Sequence, residues 1–344
     1  MTTQSFLLIN YLRFEMEILY SVLNVGKYLV YVIVIFVVII LIFVKSSPVF
    51  GASPSNDSLS NILKSENYVD GKFINLATTQ ITTSPPESKT SFLDFFFTPK
   101  GKNPSEPLPS IPLIAEQLID GKFVWLGHST LLMKTNDIVV MTDPVFNAAS
   151  PIFIFGKPFA LKNPILIDDL PTIDVVVISH DHYDHLDSKA IKDLAQRVGH
   201  FFVPLGVKAH LQRWGVNPSK ITELNWYESE NYRGVQFTLM PARHFSGRGL
   251  FDQNKTLWGS WVINSDALNI FFSGDGGYSE TFKTIGERFG PFDISFIENG
   301  AYNANWAQIH MIPEQTVQAS IDLNTEVLFP IHWSKFDLSL HPWD

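Results

Sequence analysis

Three imidazoles with carboxylates between them crowd the hexapeptide His180-Asp181-His182-Tyr183-Asp184-His185, directly after the apolar run Val175-Val176-Val177-Ile178-Ser179. A run that apolar and β-branched reads as a buried strand, so the cluster sits on the loop at the strand's end. Extended backbone sends successive side chains to opposite faces, so His180 and His182 point the same way and can grip one cation. Asp184 and His185 come after the chain has begun to turn and can face a second cation beside the first. Imidazole and carboxylate together suit zinc, with iron or manganese as alternatives. A merely wet loop does not ask for these residues, since Lys, Ser or Asn would serve it equally well.

More donors follow, each at the end of an apolar stretch. His244 lies just past 235–240, Asp275 just past 269–272, and His332 at the end of 327–331. Ligands at the ends of neighbouring strands can converge on one rim of a sheet, where rigid elements hold them. Singly, each has an ordinary explanation: a structural histidine, or an Asp in a glycine turn (Gly274-Asp275-Gly276). Beside the first cluster, the joint pattern points to metal.

With these spacings the chain resembles the metallo-β-lactamase superfamily, in the branch of N-acyl-phosphatidylethanolamine-hydrolysing phospholipase D and its bacterial metal-dependent hydrolase relatives. The matching segments run from Phe123-Val124-Trp125-Leu126-Gly127-His128-Ser129-Thr130 to Ile331-His332-Trp333. They include Thr142-Asp143-Pro144, Leu257-Trp258-Gly259-Ser260-Trp261 and Phe271-Phe272-Ser273-Gly274-Asp275. The resemblance implies an α/β fold, a four-layer αβ/βα sandwich of two mixed sheets with helices outside. It further implies two zinc ions per chain: His180, His182 and His244 on the first, Asp184, His185 and His332 on the second, and Asp275 bridging. A shared water or hydroxide between them is the implied nucleophile. Asp184, Asp275 and His310 are the candidate catalytic residues, His310 because the family has a substrate-side histidine there. The ordinary alternative for His310 is a helix-start residue bonded to backbone. His128 reads as a structural feature near the rim, and His200, His210 and His341 as ordinary histidines.

One segment departs from the phospholipase pattern. Where that enzyme has apolar residues and proline before its Gly-Ala-Tyr turn, this chain reads Ile297-Glu298-Asn299-Gly300-Ala301-Tyr302. The metal chemistry therefore carries over more safely than the lipid substrate. Hydrolysis of a phosphodiester or ester is expected, on a small-molecule or lipid substrate. The alternatives are a lactonase and a non-catalytic, membrane-anchored binding module.

The remaining chain must position this chemistry. Residues 28–44 form an uncharged apolar run of about 17 residues, spanning roughly 26 Å as a helix, enough for a thin hydrocarbon core. They read as a single-pass anchor after an N-terminal flank (1–27), with a cleaved signal ending near Gly51-Ala52-Ser53 as the competing reading. The slight excess of basic residues on the N-terminal side places the hydrolase domain outside the cytoplasm. Residues 45–112 read as a linker and lead-in arm, with Pro85-Pro86 and an aromatic cluster, Phe92-Leu93-Asp94-Phe95-Phe96-Phe97, packing on the domain. An apolar loop at 151–156 is expected near the site mouth. The hydrolase domain covers 113–344, long enough for one large core, and its end soon after His332 reads as truncated. Helix-like stretches at 188–197, 207–214, 281–289 and 313–323 alternate with strands, as a layered α/β fold requires. A net charge of −9 without a basic run excludes nucleic acid as a partner, and zero cysteines exclude disulfides. Oligomeric state is not legible.

Overall fold

The computed structural model describes residues 3–83 and 101–343, and the chain divides into two compact units, Met1–Ser47 and Pro48–Asp344. The first unit is one helix, α1 (Thr3–Ser46). It contains the apolar run 28–44 but begins far earlier, because the expected flank is itself rich in Leu, Ile, Met and Glu and lacks proline. Its stretch from Asn10 to Ser46 is long and apolar enough to cross a membrane. Ile33, Phe36 and Ile39 are all exposed. A core helix would bury such a stripe.

The second unit begins at Pro48, well inside the stretch expected to be linker. Residues 48–83 carry a 3₁₀ turn at Pro48–Phe50, helix α2 (Asn56–Lys64) and a two-strand hairpin, β1 (Tyr68–Val69) with β2 (Lys72–Phe73). Ile62 and Phe73 are buried in the main core. Two large apolar side chains in a polar stretch suffice to dock it, although they give no periodic signal. The proline-rich residues near 112 form no helix, and Leu108 makes an isolated bridge to Leu161. Pro85-Pro86 and the 92–97 aromatic cluster lie outside the described residues.

Two six-stranded mixed sheets build the rest. The first runs in chain order: β3 (Phe123–Trp125), β4 (Leu131–Thr135), β5 (Ile138–Thr142), β6 (Ile173–Val177), β7 (Val198–Pro204) and β8 (Ile221–Leu224). The second comprises β9 (Ser229–Tyr232), β10 (Val235–Met240), β11 (Ser260–Asn264), β12 (Asn269–Phe272), β13 (Phe292–Glu298) and β14 (Thr325–Ile331), also side by side in chain order. Strand alternation shows how they stack. Val175 and Val177 of β6 share the central core with Phe237 and Leu239 of β10 and Phe272 of β12. Val176 faces the other way, into a layer with α3 (Ser188–Leu194) and α4 (Lys208–Arg213) that holds Ile191, Leu194 and Leu211. Phe271 likewise packs beside α5 (Thr281–Phe289) and α6 (Pro313–Asp322), against Phe282, Ile285 and Ala319. Strands buried on both faces explain the near-continuous apolar runs in the sequence. The architecture is the four-layer αβ/βα sandwich.

Candidate metal centre

Donors arrive at the rim from both sheets, rather than from one. β6 delivers the 180–185 loop, while β10, β12 and β14 end just before His244, Asp275 and His332. β10 and β12 both run antiparallel to β11, and β12, β13 and β14 are mutually parallel, so their carboxyl ends lie on one edge. Local geometry then aims each side chain. His182 O accepts from His185 N and Leu186 N, the turn that swings Asp184 and His185 away from the strand direction. Gly274 has a φ of 56°, and a Cβ there would sit 2.5 Å from Ser179 Cβ, so only glycine lets Asp275 approach the 180 loop. His332 and His128 also sit at positive φ, 72° and 55°. They are held there by His332 N donating to His128 O and His128 N to Trp333 O.

All seven donors meet. His180 Nε2 lies 2.9 Å from His182 Nδ1, and His244 Nε2 lies 3.3 Å from the same atom. Asp184 Oδ2 lies 3.5 Å from His185 Nε2 and 3.4 Å from His332 Nε2. Asp275 stands between the groups, with Oδ1 3.1 Å from His185 Nε2 and Oδ2 3.0 Å from His332 Nε2, 3.8 Å from His244 Nε2 and 4.0 Å from His180 Nε2. A tetrahedral zinc with bonds of about 2.0–2.1 Å separates its ligand atoms by about 3.4 Å, so the spacing fits. Buried His185 Nε2, Asp275 Oδ1 and His332 Nε2 have no hydrogen-bond partner. Buried polar atoms without partners, aimed at one another, are what a cation site leaves when described from protein atoms alone. His310 stands at the edge, its ring 5.3 Å from those of His244 and His332.

Electrostatics place Asp184, Asp275, His180 and His244 in the forms that bind metal. The Asp275 and Asp184 carboxylates, by contrast, overcome burial to push His185 well up and His332 up to about 9, so a cation arriving there displaces protons. Burial opposes ionisation of Asp184 and Asp275. Even so, the charge of neighbouring His185 and the hydrogen bond to His128, with His332 close by, hold Asp184 well below the usual carboxylate range, and proximity to His185 and His332 does the same for Asp275. Burial pushes His180 and His244 well below the ordinary histidine value, keeping them neutral. Outer partners orient three of the rings: His180 Nδ1 on Ser179 Oγ at 2.9 Å, His185 Nδ1 on Asp143 Oδ2 at 2.7 Å, and His244 Nδ1 on Ile309 O at 3.1 Å.

Several functional contacts escape a sequence reading. His128, read as structural, places Nε2 2.9 Å from Asp184 Oδ2. Asp181 is buried and accepts from Gly247 N and Thr256 Oγ1, with His210 Nε2 3.3 Å away. His210 Nδ1 accepts from Ala52 N at 2.9 Å, so this unremarkable histidine joins the arm to the metal loop. Gly51, at φ 71°, has room for no side chain, since a Cβ would meet His210 Nδ1 at 2.0 Å. Farther along the arm, Asn75 brackets His244, donating to its carbonyl and accepting from its N–H.

Lys335 is a buried cation beside the site. Its Nζ donates to Leu126 O at 3.0 Å, and burial pushes its ammonium down to about 7. An unfolded lysine titrates near 10.4, so between about pH 7 and 10 the unfolded chain binds more protons here and stability rises with pH. Lys335→Met is expected to flatten that rise. Denaturant midpoints of both proteins at pH 7 and 9 check this, and an unchanged slope would contradict it.

The description "Beta-lactamase superfamily domain" fits residues 139–333. An uncharacterised protein of Mycobacterium tuberculosis is 39% identical over 292 residues, 81% of this chain and 77% of that one. An N-acyl-phosphatidylethanolamine-hydrolysing phospholipase D of Caenorhabditis elegans is 35% identical, covering 62% of this chain and 64% of the worm protein. A mitochondrial protein of the same name from Saccharomyces cerevisiae is 31% identical, over 62% of this chain and 48% of that one.

Proposed function

The chain belongs to the beta-lactamase superfamily of metal-dependent hydrolases, and on that premise we propose that it is a membrane-anchored dinuclear zinc hydrolase acting on a phosphodiester, with a phospholipid as the favoured substrate class. One observation carries the dinuclear reading: two donor groups, His180/His182/His244 and Asp184/His185/His332, flank a single carboxylate, Asp275. Bound there, two cations supply a nucleophile from water near neutral pH and offset charge building on the phosphoryl oxygens. The protein's own part is orientation. His128 braces Asp184, Asp143 braces His185, and Ile309 O braces His244. His182, Asp184, Phe245 and His310 are only partly buried, so substrate approaches across them. His310 is placed to hold the substrate or pass a proton to the leaving oxygen.

The worm and yeast relatives support a lipid diester. So does α1, together with Phe153 and Phe155, which are exposed in the 151–156 loop. The packing of Gly51-Ala52 against His210 supports an uncleaved anchor, and the slight basic excess before the apolar run favours a second unit outside the cytoplasm. Metal analysis with a hydrolysis screen over phospholipids, model diesters, lactones and β-lactams tests the proposal. Two zinc ions per chain are expected, with diester hydrolysis abolished by a chelator and restored by zinc. Protein holding no metal and hydrolysing no diester would end it; lactone turnover alone would favour the lactonase reading.

A further inference from the structure

β13 sits between β12 and β14, whose ends deliver Asp275 and His332, and its own last residue at the same rim is Glu298. That side chain is fully buried. Its Oε1 accepts from Met311 N at 2.7 Å, while Oε2 has no partner. Two ring nitrogens nearby have the complementary deficit. His310 Nδ1 is unpartnered and 3.5 Å from Glu298 Oε2. His332 Nδ1 is buried and unpartnered, although the Nδ1 atoms of His180, His185 and His244 each have a bonding partner. Donor atoms of Glu298, His310 and His332 all lie within 4.8 Å of one another.

A buried carboxylate oxygen left bare is costly, and so is a buried ring N–H. One oxygen has lone pairs enough for two donors. We infer that Glu298 is a positioning residue whose Oε2 accepts the Nδ1–H of both His332 and His310. The bonds fix both rings as Nδ1–H tautomers. His332 then turns Nε2 to Asp184 and Asp275, as observed, and His310 keeps Nε2 free at the open edge. Glu298 thereby couples a ligand of the second metal to the residue that meets substrate, and pins that histidine from beneath. The inference rests on the dinuclear reading for its metal consequence, but not for the tautomers.

The test uses the full chain in detergent micelles. Nitrogen-15 histidine spectra of the wild type should show Nδ1–H on His310 and His332, without any substitution that could unsettle the fold. Glu298→Gln keeps the size and a carbonyl oxygen for Met311 N, but turns an amide N–H₂ towards the rings. Zinc titration against a competing chelator should then show one site weakened by about 10–100-fold and the other unchanged. Wild-type affinities at both sites in Glu298→Gln, or Nε2–H tautomers in the wild type, would overturn the role given to Glu298. A wild type that binds no zinc would instead overturn the dinuclear reading, and the His310 tautomer in spectra of the metal-free chain would still decide on Glu298.

Discussion

Asp275→Ala protein is expected to hold less than two zinc ions per chain and to hydrolyse a model diester on the order of 10³-fold more slowly than wild type. The size of the effect follows from position. Among the described residues Asp275 is the single side chain whose oxygens approach ring nitrogens of both donor groups, reaching His185, His332, His244 and His180 at 3.1, 3.0, 3.8 and 4.0 Å. Removing it takes a ligand from each group and leaves the imidazoles facing one another with no carboxylate between the two groups, Asp184 remaining on one side only. Fold loss is not the expected cause, because the Asp275 side chain reaches only site residues while Gly274 and the end of β12 keep their backbone contacts. Paired measurements of metal content and diester turnover, with thermal unfolding as a control, decide the matter. Full turnover with intact metal content would remove Asp275 from the chemistry, and an unchanged cellular phenotype would favour the binding-module alternative.

The convergence of the candidate donors was legible in the sequence because metal sites concentrate rare residue types at strand ends, and strand ends show as breaks in apolar runs. Residues 235–240 and 269–272 are strands with those very bounds, and His244 and Asp275 follow each within a few positions. Alternation predicts that His180 and His182 share a face, and their ring nitrogens lie 2.9 Å apart. The same rule turns Asp181 to the opposite side, where its partners are Gly247, Thr256 and His210. Those partners come from distant segments without any motif, so the alternation gives a direction but no destination. Glu298 was visible as a departure in sequence, yet its role depends on two unpartnered nitrogens that only coordinates reveal. The arm was legible only as a lead-in over the domain surface, without its elements, for a different reason. Composition marks residues 48–83 as loop, and loop they mostly are, but Ile62 and Phe73, with hydrogen bonds from the backbone at 48–52 to His210, Trp214 and Arg248, dock them without apolar periodicity.

Arg248 is the junction where that docking meets the metal loop, and Arg248→Leu is expected to destabilise the second unit by about 3–5 kcal/mol. The guanidinium is buried, a place arginine occupies only when its donors are matched. Nη1 donates to Asp181 O at 2.6 Å and Leu186 O at 2.8 Å, the two ends of the loop that carries His182, Asp184 and His185. Nε and Nη2 donate to Val49 O at 3.1 and 3.0 Å, and the plane stacks on Tyr183 and Trp214. Trp214 in turn donates to Pro48 O at 2.7 Å. Leucine fills part of the volume but leaves three carbonyls without a donor, two of them buried, and no single rearrangement can serve both sides of the loop. Arg248→Lys is expected to recover little, since one ammonium cannot span those carbonyls as a planar fork does. Chemical denaturation reports the stability, and zinc affinity reports the loop. A loss confined to stability would make Arg248 an ordinary core residue. A parallel fall in zinc affinity is expected instead, because the same guanidinium holds both the first residues after α1 and the backbone that aims three of the metal donors.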